Sequence, residues 1–180
     1  MKLLLVDLDG TLREPLSGAD FTRHPRDFKV IPNADKALAH YHRESWLIVG
    51  ITNQGGVAVG FKSLGNCIEE QRYTFQLFPQ LSSILFCPDF EGKICYQCIP
   101  EHIDCYNLGQ KYPQLIGKFR KPNPGMLEAC LLAHNVNPCE SWMVGDRLED
   151  EKAAEAAGIN FMAADIWRER FREEKYDASS

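Results

Sequence analysis

Long apolar runs are missing from this chain. The first, Leu3 to Val6, ends on Asp7 after four residues, too short for the core of a signal peptide, and no later stretch is long enough to span a bilayer. A cytoplasmic protein with no membrane partner is therefore expected. An excess of positive charge is missing too: Lys and Arg number 20 against 25 Asp and Glu, giving a net charge of -5. That removes any global electrostatic case for a polyanionic partner, although a local basic patch on an acidic protein stays open. Internal repeats and low-complexity tracts are also absent. What remains is ordinary globular composition, 44% hydrophobic over 180 residues, enough for one domain with a full core. Cysteine is not scarce. Seven are present, and without an export signal they are expected mostly reduced, as packing residues or metal ligands rather than disulfides.

The apolar run Leu3 to Val6 empties into Asp7, Leu8, Asp9, Gly10 and Thr11. In an extended chain residues i and i+2 point the same way, so Asp7 and Asp9 can face one small volume beyond a sheet edge. Two carboxylates that close repel unless a cation or a shared proton intervenes, which suggests a metal site, an acid/base pair, or both. An ordinary turn would use the same residue types. Further apolar, β-branched segments follow at Trp46 to Ile51, Ile84 to Cys87, Trp142 to Val144 and Ile159 to Ala163. Helical spacing separates them: Ala34, Ala37, Leu38 and Tyr41 after a cap at Asn33; Leu64, Ile68, Phe75 and Phe78; Leu127, Cys130, Leu131 and His134; and Glu149 to Ala157 closed by Gly158. Alternating β and α elements imply a parallel sheet of about five strands, with ligands beyond the strands' carboxyl ends.

Three more segments place chemistry at such ends. Thr52-Asn-Gln-Gly-Gly56 offers a hydroxyl, an amide and freely turning backbone that can cradle phosphate oxygens. Phe119-Arg-Lys-Pro-Asn-Pro-Gly-Met126 sets Lys121 before a proline-defined helix start, where it can offset charge on a phosphoryl group. Val144-Gly-Asp-Arg-Leu-Glu-Asp150 brings Asp146 and, one turn on, Asp150, hard oxygen donors suited to Mg²⁺. Each segment alone also reads as a common loop or helix start.

Together the four motifs, Asp7-x-Asp9-Gly-Thr, Thr52-Asn, Arg120-Lys121-Pro and Gly145-Asp146-x3-Asp150, resemble in order those of the haloacid dehalogenase-like (HAD) phosphohydrolases. The resemblance runs from residue 3 to about 164. It implies a Rossmann-like three-layer α/β fold, a phosphatase domain over 1-166 with a C-terminal helical tail over 167-180, and no large cap domain, since the spaces between motifs are short. It implies Asp7 as nucleophile forming an aspartyl-phosphate and Asp9 as general acid/base. Thr52, Asn53 and Lys121 would bind phosphate, and Asp7, the Asp9 carbonyl, Asp146 and Asp150 would hold Mg²⁺.

Two branches of that superfamily share features with the chain. The Arg120 to Met126 and Gly145 to Asp150 segments are similar to histidinol-phosphate and heptose-bisphosphate phosphatases. The segments Ser17-Gly-x-x-Phe21 and Pro25-x-Asp27-Phe28 are similar to polynucleotide 3'-phosphatases. A small phosphomonoester is slightly favoured by the acidic charge; a nucleic-acid 3' end is the alternative, and a noncatalytic HAD-like binding protein the rival of another class. Small-molecule relatives often carry a structural zinc loop where this chain has Cys87, Cys95, Cys98, His102 and Cys105. Asp89, however, stands in place of a histidine, and Lys118-Phe119 in place of a Cys-x-Cys pair, so reduced cysteines are favoured over Zn²⁺. Cys67, Cys130 and Cys139 are read as packing or incidental residues, His24, His40, His42 and His134 as structural. Trp167 is read as core in preference to a wall of the substrate entrance. Oligomeric state is not legible.

Overall fold

The computed structural model describes residues 1–19, 22, 24–102 and 105–172. Phe21 and the last eight residues of the tail lie outside that set. The sheet is built around β1 (Leu3–Val6), whose four residues are all buried, a placement worth roughly 1.5–3 kcal/mol per side chain. On one side lies β4 (Leu47–Asn53), on the other β8 (Ser141–Gly145), both parallel, with Val6 opposite Gly50 and Val144. Parallel strands β5 (Ser83–Cys87) and β9 (Asn160–Ala163) extend the two sides. These are the five strands expected from sequence. Among the described residues the sheet has seven, because β6 (Tyr96–Cys98) adds antiparallel to β5 and β7 (Tyr106–Asn107) antiparallel to β6, giving the order β7-β6-β5-β4-β1-β8-β9. A separate hairpin pairs β2 (Arg13–Pro15) with β3 (Phe28–Val30). Strands of two or three residues carry too little alternation to be read from sequence.

Strand alternation sorts the core into two faces. Leu4, Val6, Ile48, Ile84 and Phe86 pack against α1 (Ala34–Arg43), α2 (Leu64–Leu77) and α5 (Ala164–Glu169). Leu3, Leu5, Val49, Ile51 and Leu85 pack against α3 (Gly125–His134) and α4 (Leu148–Ala157). Helices therefore cover both faces, as a buried parallel sheet requires. The chain leaves β1 toward β5 with α1 and α2 on one face, then returns to β8 and β9 with α3 and α4 on the other. The reversal beside β1 opens a crevice at the carboxyl ends of β1, β4 and β8.

Gly158 closes α4 at φ 69° as read. Ser63, not singled out in the sequence, caps α2, its Oγ accepting from Asn66 N at 3.1 Å. Asn33 occupies the cap position of α1 but at φ 70° and without a side-chain cap hydrogen bond, a correction to its expected role. Trp167 is fully buried, with ring contacts to Tyr41 at 6.2 Å and Phe171 at 6.4 Å; the boundary expected at 166/167 thus falls inside a packed helix. Among the described residues no helix is long and apolar enough to cross a membrane.

Candidate active site

Because β1, β4 and β8 are adjacent and parallel, three of the four motifs necessarily emerge side by side. Asp7 continues β1 by one backbone hydrogen bond to Val144, then Gly10, at φ 90°, turns the chain. Asp7 is buried, yet its Oδ1 accepts from Lys121 Nζ at 2.7 Å and its Oδ2 from the Thr11 hydroxyl at 3.3 Å. The same ammonium donates to Asp150 Oδ1 at 2.6 Å and to the Ile51 carbonyl at 3.1 Å. Lys121, Asp7 and Asp150 therefore form one buried ionic centre. Burial opposes the Lys121 charge, but the two carboxylates outweigh it and hold the ammonium's pKa above its ordinary value. Burial also drives the Asp7 carboxyl from 3.8 to about 7, against the pull of Lys121 and with the Asp150 charge adding to it.

Asp146 is exposed at the rim and receives Thr11 Oγ1 at 3.4 Å. It reaches the centre because residue 10 is glycine: a Cβ there would lie 2.3 Å from Asp146 Oδ2. Gly145 does the same for Asp150, whose side chain would lie 2.3 Å from a Cβ at 145. Asp150 also turns back to accept from Arg147 N at 3.1 Å, fixing the start of α4. Asp7, Asp146 and Asp150 present carboxylate oxygens within 4.8 Å of one another. Three converging hard donors fit a divalent cation such as Mg²⁺.

Asp9 projects to the other side of the centre, and its surroundings were not anticipated. Arg13 Nε donates to Oδ1 at 2.9 Å, Gln54 Nε2 to Oδ2 at 2.9 Å, and Thr52 Oγ1 to Oδ2 at 3.4 Å. Burial pushes the Asp9 carboxyl up, but Arg13 first and Lys62 and Gln54 after it leave its pKa below the ordinary value. Thr52 stands at the site as read. Asn53, expected among the phosphate-binding residues, instead has both amide atoms engaged by the main chain of Lys121, donating to its carbonyl at 2.9 Å and accepting from its N–H at 3.1 Å. That pairing locks the lysine motif onto the end of β4. Sequence reading missed Arg13, Gln54, Lys62 and Glu70; an arginine immediately after Asp-Gly-Thr-Leu was the available signal. It also missed Arg168, whose Nη1 donates to the Gly10 and Thr11 carbonyls and ties α5 to the turn.

The centre opens into a cleft of about 690 Å³, and among the described residues no separate domain lies over it. Phe61 and Phe90 line its mouth, both exposed, and Arg120 stacks on Phe90 at 4.8 Å. The cysteine loop sits to one side and differs from the zinc reading. Cys98 and Cys105 are joined in a disulfide, so neither offers a thiolate, and His102 Nδ1 pairs with the Tyr106 hydroxyl. Cys87 and Cys95 are buried in the α3/α4 face of the core. Asp89 replaces a metal as organiser, accepting from Lys93 N at 3.0 Å and Ile94 N at 2.8 Å. The other five cysteines are free, and the Cys98–Cys105 pair departs from the expectation of thiols rather than disulfides.

A HAD-hydrolase-like family model matches residues 118–164, the span holding Lys121, Asp146 and Asp150. The D-glycero-β-D-manno-heptose-1,7-bisphosphate 7-phosphatase of Haemophilus ducreyi is 32% identical over 172 residues, covering 88% of this chain and 79% of that protein. The chain belongs to the HAD-like hydrolases. Its named relatives are phosphatases, and with them it is a phosphoric monoester hydrolase, which sets aside the noncatalytic reading. Its HAD fold is similar to the crystal structure of D,D-heptose 1,7-bisphosphate phosphatase from B. bronchiseptica complexed with magnesium and phosphate. That match has a TM-score of 0.68 at 25% identity, over 89% of this chain and 79% of the other. The corresponding heptose phosphatase of Neisseria meningitidis is 26% identical over 162 residues, spanning 88% of this chain and 74% of that one.

Proposed function

We propose that this HAD phosphatase hydrolyses a small sugar-type phosphomonoester through an aspartyl-phosphate on Asp7. The observation that carries the reading is the Asp7 carboxylate held between Lys121 and Thr11 at the floor of an open cleft. Asp7 Oδ attacks phosphorus, the P–O bond to the leaving group breaks, and Asp9 delivers a proton to the departing oxygen. Asp9 then takes a proton from the water that cleaves the acyl phosphate. In the substrate-free site Arg13 keeps Asp9 ionised. A phosphate dianion beside it raises its affinity for a proton, which prepares the acid half of the role. Lys121 and Thr52 bind the phosphoryl oxygens, and Asn53 supports Lys121. Asp7, the Asp9 carbonyl and Asp146, with Asp150 in support, would hold Mg²⁺, which supplies charge neutralisation between an anionic nucleophile and an anionic ester.

The relatives named above act on a heptose bisphosphate, and this supports a sugar phosphate over the nucleic-acid 3' end, for which the net charge of -5 offers no support either. The deciding experiment is Mg²⁺-dependent phosphate release from heptose bisphosphate, histidinol phosphate and a 3'-phosphorylated oligonucleotide in parallel, with Asp7→Asn as contamination control. Preference for heptose bisphosphate is expected; preference for the oligonucleotide would overturn the substrate reading while leaving the chemistry standing.

A further inference from the structure

Around Asp9 the hydrogen bonds close into a ring that none of the four motifs describes. Arg13 Nε holds Asp9 Oδ1, and Arg13 Nη1 reaches across to the Glu70 carbonyl at 3.2 Å and to the Thr74 hydroxyl. Glu70 Oε2 accepts from Lys62 Nζ at 2.6 Å, Lys62 donates to Gln54 Oε1 at 3.0 Å, and Gln54 Nε2 returns to Asp9 Oδ2 at 2.9 Å. Arg13 and Glu70 are 0% and 1% exposed. With Asp9 and Lys62 they make two cations and two anions, neutral as a unit. With Arg13 and Glu70 buried and Asp9 and Lys62 partly so, such a charge cluster seldom repays its desolvation in stability, which points its use toward fixing geometry. The Arg13 guanidinium is itself fixed from a third direction, lying 4.0 Å from the centroid of the Phe28 ring.

From this we infer that Arg13 is a positioning residue for the phosphatase: it sets the orientation of the Asp9 carboxylate, and α2, through Glu70 and Thr74, is the frame on which it rests. Arginine suits the task because its planar fork can hold Asp9 with one nitrogen and α2 with another, which a lysine ammonium on a flexible stem does not reproduce. The inference rests on Asp9 as the acid of the proposed mechanism. A misoriented acid matters most where the leaving oxygen is basic and needs its proton, and least where it departs unaided.

The test compares kcat/KM for phenyl phosphate and p-nitrophenyl phosphate, near-isosteric esters with a poor and a good leaving group, in the Mg²⁺-loaded enzyme. Arg13→Lys keeps the buried charge and hence the fold; Thr74→Val removes one anchor without touching a charge. Arg13→Lys should raise the p-nitrophenyl over phenyl ratio about tenfold, and Thr74→Val should move it the same way by less. Equal losses on both esters would reduce Arg13 to a structural residue, and an unchanged Arg13→Lys would show that charge without orientation suffices; either result overturns the inference. Asp9→Asn is the reference. If it raises the ratio about a hundredfold while Arg13→Lys does not move it, the acid assignment stands and the inference alone fails. If Asp9→Asn leaves the ratio unmoved, the acid assignment fails and the Arg13 inference falls with it.

Discussion

The end of β1 and the cysteine loop after β5 both looked like metal sites in sequence, and they hold their shape in opposite ways. Around Asp7 the charged side chains of Lys121 and Asp150 are buried and bonded to one another, with Lys121 between Asp7 and Asp150. Cys95 lies in one buried core cluster with Leu108, Tyr112, Leu115 and Phe119, and the polar work there falls to Asp89 and to the Gly92 carbonyl, which accepts from Gly117 N and Phe119 N. One region keeps charge where apolar packing would be more stable; the other has given up its ligand pattern and is packed like any core. The lesson is that ligand-type residues near one another are not evidence of a site. Convergence forced by backbone topology is.

Removing the Asp7 charge should have the largest effect. Asp7→Asn is expected to lower turnover by about 10⁴-fold while circular dichroism and thermal unfolding stay cooperative. Residual activity near wild type in a folded, repurified mutant would dismiss the nucleophile assignment. The same variant tests the burial of the charge. The folded-state pKa of Asp7 is raised, so its stabilising contribution is full below the unfolded value near 4 and is lost as pH climbs through about 7. In metal-free protein the melting temperature of Asp7→Asn relative to wild type should therefore climb between those limits, by roughly several degrees, and level off above them. Lys121 titrates far above this window and does not disturb it. A difference independent of pH would mean that Asp7 is not held as the structure shows.

A smaller, more local break is Gly10→Ala. The added Cβ would meet Asp146 Oδ2 at 2.3 Å, at a φ of 90° that alanine rarely adopts. Asp146 must withdraw, and both Mg²⁺ activation and phosphate release should fall by about tenfold to a hundredfold, a typical cost for a displaced metal-site partner. Unchanged Mg²⁺ dependence would take Asp146 out of the cation site.

How much of this was readable depended on what fixed each residue. Asp7, Thr52, Lys121 and Asp146 were legible because each stands at a strand's carboxyl end or just before a proline-set helix start, and parallel order does the rest. The same holds for the five core strands and for helices with a clear apolar stripe. Arg13 and Glu70 were not, since they meet 57 residues apart through the packing of α2, which no local pattern encodes. Asn53 was placed in the right segment, but its pairing with the Lys121 main chain was not readable: an amide at a strand end can turn toward a ligand or a neighbouring main chain, and only the position of Lys121 shows the second. β6 and β7 were too short to declare themselves, and the pairing of Cys98 with Cys105 needed the turn between those two strands to be known.

The cysteine loop supplies the smallest effect and the sharpest contrast with the centre. Asp89 accepts two main-chain N–H groups from a half-buried position, and its loss should cost about 1–2 kcal/mol. The disulfide closes a separation of seven residues, and replacing both cysteines by serine should cost at most about 2.5 kcal/mol, since so short a loop restrains the unfolded chain less than a long one. Neither change touches the ionic centre, so kcat/KM per folded molecule should stay within about twofold of wild type for both, measured alongside denaturant unfolding. If Asp89→Ala cuts activity without lowering stability, the loop reaches the cleft through Phe90 and Arg120, and the two regions are coupled rather than merely adjacent. If instead stoichiometric zinc accompanies the purified protein and leaves with Cys95→Ser, the loop is a metal site after all. The contrast with Asp7 would then be one between two metals, not between a charge centre and a core.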